Sequence, residues 1–329
     1  MDKKSILLIV VTLFSVHLFS QSTNEIKLVR KLSILNDRAF CNFPNDAEIS
    51  KYATVHQNLE TEIHFELTVK YERMPCMFVA RELFKVADNS IVENISKELE
   101  SSNNKFITKL LSKNDSATLI ISTPTVFDLN QHSVLTNILF VKTPDNTVFA
   151  IYAYCDPTDL NLKDQFQTLS EKVFATLTLG PRINNRKTRQ EDIAIFRTDK
   201  KFKISLPDDY SLTVDSNLNK YCLIFHRFQN WTDTTNQTRL FITIRSDQNT
   251  TYEDFELKGK LEEVDGKFLN RKIKWLLFER NKSGLLKKQQ RIACDFIQSG
   301  FVIDVYMSSD EQKYLDQLTK IVESIEIKE

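Results

Sequence analysis

The chain has 329 residues, 41% of them hydrophobic and 10% aromatic, which is too long for one ordinary core and enough for two. Its 44 basic and 44 acidic side chains cancel, which excludes the electrostatic footprint of a nucleic-acid or anionic-membrane binder. Only five glycines are present; none lies in a GxGxxG or GxxxxGK loop, so dinucleotide and P-loop phosphate sites are disfavoured.

In chain order, MDKKSILLIVVTLFSVHLFSQS places Lys3 and Lys4 before an apolar run from Ile6 to Phe14, and the chain turns polar after Gln21. This layout reads as a secretory signal peptide over residues 1–20, because the apolar stretch falls short of the ~20 residues a spanning helix needs. The mature chain is expected to begin between residues 19 and 24, in a periplasmic or secreted setting. Leu18 departs from the small residue usual before a cleavage site.

A first segment, 32–180, opens with CNFPND (41–46), a short strand stopped by Pro44 and turn-forming residues. EIHFELTV (62–69) then alternates, with Ile63, Phe65, Leu67 and Val69 on one face. CMFVARELFKV, a helix around Ser90–Ser101, ATLIIS, VLTNILFVK and FAIYAYCD follow. A helix carrying Phe166, Leu169 and Val173 and a strand at Thr176–Leu179 close the segment. Residues 181–194, beginning PRINNRKTRQED, are polar and read as a linker.

The segment 195–329 repeats the plan with ISLPDD (204–209), KYCLIFHRF, TRLFITIR, a helix around Tyr252–Leu261, KIKWLLFER, QQRIACDFI and FVIDVYMS. A helix on Tyr314, Leu318, Ile321 and Val322, capped by Ser309 or Asp310, and a strand at Ser324–Ile327 end it. Setting Phe149 over Phe301 also matches Ile151 with Ile303 and Tyr154 with Tyr306. The expectation is two tandem domains, each an antiparallel sheet with helices packed on it, in the α+β class.

The order of an opening strand ending in proline, two meanders around a short helix, then a long helix and a final short strand resembles the PsbP-like superfamily. The stretches FKISLPDDYSL and YLDQLTKIVESIEI carry the resemblance. It implies a PsbP-like α/β/α sandwich in 32–180 and again in 195–329. It also implies a mostly non-enzymatic family whose members bind proteins or stabilise assemblies.

Chemistry is sparsely written. The five cysteines, Cys41, Cys76, Cys155, Cys222 and Cys294, form no CxxC, which argues against a zinc or thioredoxin-like site. Cys41 and Cys155 align with Ile204 and Met307 and so read as buried thiols, leaving Cys222 with Cys294 as the pair to test for a disulfide. His64 shares a polar strand face and is expected in solvent, whereas His226, on a strand apolar on both faces, is expected buried with a hydrogen bond. His56 and His132 have no ligand neighbours at metal spacing. Asp156, Asp159 and Asp164 precede a helix and suit capping better than calcium. Asp304, where the first segment has Tyr152, is expected exposed. Phe228 and Trp231 in HRFQNW are the candidate contact residues for a partner, with core packing the competing reading. No catalytic residue, metal ligand or cofactor site emerges. The expected function is a non-enzymatic protein-binding or accessory protein of an envelope assembly with an unidentified protein partner. The alternatives are a hydrolase with a site between the domains, or a carrier of a small apolar ligand.

Overall fold

The structure is a computed structural model that describes residues 26–50, 60–69, 72–100, 105–124, 135–155, 163–181, 189–195, 198–216, 220–231, 238–245, 260–279, 286–293 and 302–328. The expected signal, most of the helix at Tyr252–Leu261, His56, His132, Cys294, Asp156 and Asp159 lie outside the described residues.

The chain is built mainly from antiparallel strands. Strands β1 (Arg30–Ile34) and β2 (Ala39–Phe43) pair as a hairpin, and β10 (Thr178–Leu179) adds to β2 to complete a three-stranded sheet. The turn between β1 and β2 runs left-handed through Leu35, Asn36 and Asp37. It is held by Ser33 Oγ donating to Asp37 Oδ1 at 2.6 Å and by Leu35 N donating to Thr61 Oγ1 at 2.9 Å. Gly180 closes against this turn, its N–H donating to the Arg38 carbonyl at 2.9 Å. A Cβ at position 180 would overlap the Asp37 carbonyl oxygen, so the close approach requires glycine.

A larger sheet follows, made of β3 (Glu48–Ile49), β4 (Glu60–Val69), β5 (Glu72–Val86), β6 (Phe106–Lys113), β7 (Thr118–Pro124), β8 (Leu135–Lys142) and β9 (Thr147–Cys155), in the order β3-β4-β5-β9-β8-β7-β6. Helix α1 (Ile91–Glu100) connects β5 to β6, and α2 (Lys163–Ala175) follows β9. Both faces of the sheet are covered, which is why ATLIIS and FAIYAYC read as nearly continuous apolar runs. On one face Phe43, Phe65, Phe78 and Phe149 pack with Phe166 and Phe174 of α2, the Phe43 and Phe78 rings meeting edge-on at 5.4 Å. On the other, Ile91 and Ile95 of α1 cover Ile120, Ile138, Phe140 and Val148.

Residues 189–328 build a second small sheet from β11 (Arg189–Ala194), β12 (Lys201–Leu206) and β21 (Glu326–Lys328), ordered β11-β12-β21. They also build a second large sheet from β13 (Tyr210–Ser216), β14 (Lys220–Arg227), β16 (Arg239–Arg245), β17 (Lys260–Phe268), β18 (Arg271–Glu279), β19 (Leu286–Ala293) and β20 (Val302–Ser309). Its order is β13-β14-β16-β20-β19-β18-β17. Helix α3 (Gln312–Glu323) buries Leu315, Leu318, Ile321 and Val322 against Phe202, Phe225, Ile242, Trp275 and Val305. Gly266 leaves room for the Trp275 indole, which a Cβ there would strike.

Two local expectations are corrected. The tail of the expected linker, Arg189–Ala194, is strand β11, registered from Arg189 opposite Leu206 to Ala194 opposite Lys201; pairing with β12 overrides its polar composition. The cap of α3 is Glu311 rather than Ser309 or Asp310, with no side-chain capping bond; Ser309 Oγ instead accepts from the Glu311 N–H at 3.2 Å.

Candidate functional site

The most specialised arrangement joins the two halves of the chain. It begins with charge placed inside an apolar strand. In β5, Arg81 and Glu82 interrupt CMFVARELFKV, and the pairing of β5 with β9 slips between Glu82 and Lys85. The slip is a bulge that leaves Leu83 and Phe84 unmatched and turns Phe84 to φ 51°. A left-handed backbone at a bulky residue costs ~1–2 kcal/mol and needs support from its surroundings.

Glu82 supplies that support. Its Oε1 accepts the N–H groups of Leu83 at 3.0 Å and Phe84 at 3.1 Å, while its other oxygen pairs with Arg38. Arg38 is buried, donates from Nη2 to Thr147 Oγ1 at 2.7 Å and lies 5.0 Å from the Phe149 ring. Burial lowers the Arg38 pKa to about 10, against the opposing attraction of Asp145.

The bulge presents Phe84 to the second half. The His226 imidazole stacks on it at 3.9 Å between centroids, and Phe228 lies at 5.9 Å. Immediately beyond, the two-residue strand β15 (Gln229–Asn230) pairs parallel with the end of β5, Gln229 opposite Lys85 and Asn230 opposite Val86. Trp231 then enters the apolar layer under α1, with Phe140 at 6.3 Å. Phe228 and Trp231 are therefore buried, 2% and 7% exposed, and the surface they contact belongs to the same chain. Of the two readings of Phe228 and Trp231, core packing is the one this burial supports, and their candidacy as contact residues for an external partner is corrected.

No protein-family model, curated protein or solved structure matches the chain. The chemistry of the joint is accordingly read from its own groups. Burial, and secondarily the charge of Arg239, push the His226 pKa down to about 3, so the ring stacks as neutral imidazole. Its Nε2 is buried with no hydrogen-bond partner among the described residues. The hydrogen bond expected for His226 is replaced there by aromatic stacking.

Elsewhere, Asp304 is 9% exposed and meets Arg245 Nη2 at 2.5 Å, so the expectation of a solvent-facing carboxylate is overturned. Register explains it, because Thr243 lies opposite Asp304 and brings the neighbouring Arg245 of β16 within reach. His64 is exposed, 3.5 Å from Glu62, and Asp164 is exposed in the first turn of α2. Cys222 is buried with Thr243 Oγ1 at 3.3 Å, and burial raises the Cys41 pKa to about 12. Among the described residues, no cluster of three His, Cys, Asp or Glu could hold a metal, and no helix is long and apolar enough to cross a membrane.

Among the described residues, the largest apolar exposures on a strand lie on β6, at one end of its sheet, where Ile107 is 63% and Leu110 is 52% exposed. Lys109 and Lys113 on the same strand are exposed too. Sequence reasoning missed Arg38, Glu82 and Phe84. The one available signal was the Arg81-Glu82 pair inside an apolar strand, since charges placed there need partners.

Proposed function

We propose that the protein is a non-enzymatic, exported binding protein built from two tandem PsbP-like domains, acting as an accessory part of an envelope assembly. The observation that carries binding is edge strand β6, where Ile107 and Leu110 face solvent beside Lys109 and Lys113. An exposed edge carrying apolar side chains suits an extended segment of a partner, added by main-chain hydrogen bonds. Lys113 favours a segment bearing acidic residues, whereas Lys109 is already paired with Glu171 of α2 at 3.0 Å. Support for tandem domains comes from strand order: β13-β14-β16-β20-β19-β18-β17 repeats β3-β4-β5-β9-β8-β7-β6 element for element, and β11-β12-β21 repeats β1-β2-β10. Export rests on Lys3, Lys4 and the apolar run that follows.

The test is affinity capture from an envelope extract of the source cells by the mature chain and by an Ile107→Lys, Leu110→Lys double variant, read by mass spectrometry. A partner held by the wild type and lost by a variant with unchanged melting temperature supports the reading. Equal capture by both, or a hydrolytic activity in the purified chain, defeats it.

A further inference from the structure

We infer that Cys76 and Cys155 form a disulfide site, closed by thiol–disulfide exchange with a small-molecule disulfide such as oxidised glutathione. The two residues stand directly opposite each other on the central strands β5 and β9. Their sulfurs are 3.6 Å apart. Opposite residues of an antiparallel pair have Cα atoms ~4.5–5.5 Å apart, inside the ~4.4–6.8 Å window that a disulfide bridges. Closing the remaining gap to a bond of ~2.05 Å therefore takes side-chain rotation and no backbone movement.

The surroundings suit a defined pair. Both side chains are buried, at 2% and 1% exposure, in an apolar layer that also holds Cys41, and the 3.6 Å sulfur contact joins Cys76 to Cys155. Cys155 is also 3.4 Å from the Pro75 carbonyl, to which its thiol can donate. Cys155 is the last residue of β9, and Cys76 lies near the start of β5, so both sit toward one end of their strands. Fraying of that end exposes them at a cost below global unfolding.

The chemistry balances with one oxidant molecule. One cysteine thiolate attacks a sulfur of the oxidant disulfide, forming a mixed disulfide and expelling one oxidant thiolate. The second cysteine thiolate then attacks the protein sulfur of that mixed disulfide, forming the Cys76–Cys155 bond and expelling the other oxidant thiolate. The two protein thiols lose two electrons and two protons, and the oxidant gains both as two thiols. The bond closes a loop between positions separated by 79 residues, which constrains the unfolded chain and fixes the register of β5 on β9.

The experiment treats the full chain, folded and reduced, with oxidised glutathione. The product is alkylated under denaturing conditions and digested, and cross-linked peptides are read by mass spectrometry. The expected product is a Cys76–Cys155 peptide pair, absent from Cys76→Ser and Cys155→Ser variants. The oxidised wild type should melt ~5 °C or more above the reduced form. Because the linkage is read on the wild type, poor folding of a serine variant leaves the result intact. Linkage of Cys41 or Cys222 instead, glutathione mixed disulfides alone, or full alkylation of Cys76 and Cys155 after prolonged exposure would each overturn the inference.

Discussion

His226 and Phe84, from opposite halves of the chain, stack with their rings 13° from parallel and 3.9 Å apart. The histidine is held neutral, with its pKa near 3 instead of the ordinary ~6.5. In that interval the unfolded chain binds a proton that the folded chain does not, so stability is complete above pH 6.5 and declines as pH falls toward 3. Between pH 7 and pH 5 the loss should be on the order of 1–2 kcal/mol. Urea titrations at the two pH values should register it, and His226→Gln should flatten the difference. An equal decline in that variant would place the sensitivity elsewhere.

Trp231 tests whether the joint is core or surface. Trp231→Ala removes a buried indole from the layer under α1 and should cost ~3–5 kcal/mol. Trp231→Phe should cost far less, because Nε1 has no hydrogen-bond partner among the described residues. Thermal unfolding decides it; an unchanged melting temperature for the alanine variant would contradict the buried placement.

Glu82 serves the bulge through both oxygens. Glu82→Ala strands Arg38 and two N–H groups, and a loss of ~3–5 kcal/mol is expected. Hydrogen exchange at Lys85 and Val86 should accelerate in that variant, since β15 pairs with the backbone that the bulge positions. Unaltered exchange there would mean that the bulge stands without the carboxylate.

Asp304 and Arg245 form a largely buried pair, with side chains 11% and 15% exposed. Asp304→Ala should destabilise by ~3–5 kcal/mol, whereas replacing both, Asp304→Leu with Arg245→Met, should recover much of the loss. A double variant as unstable as the single one would show that the pair does more than satisfy itself.

Gly266→Ala drives a methyl group into the Trp275 indole and should cost ~1–3 kcal/mol. The companion change Trp275→Leu should reduce that penalty, and a strictly additive double variant would argue against the clash.

Much of the fold was legible in the sequence because alternation and 3–4 spacing report directly which face is buried. Ile63 and Phe65 of EIHFELTV, the strand FAIYAYC and the stripe Leu318, Ile321, Val322 lie where their patterns put them. The joint was not legible. Phe228 and Trp231 advertise apolar surface but not its occupant, and only the register of β5 on β9 reveals that Phe84 is turned out to meet them. Asp304 misled for the same reason, since its partner Arg245 is close only through the pairing of β16 with β20. The facing of Cys76 and Cys155 likewise depends on non-local pairing, which spacing in the sequence does not encode.

The placement of Trp231 bears on synthesis. Phe140, which the Trp231 indole meets edge-on at 6.3 Å in the layer under α1, leaves the ribosome well before that indole. A nascent first half thus carries an open apolar socket while the second half is still being made, and a chain stopped short of residue 231 keeps it permanently. Such truncated products should stick to one another or to holdase chaperones, which makes early termination more damaging here than the loss of the missing strands alone.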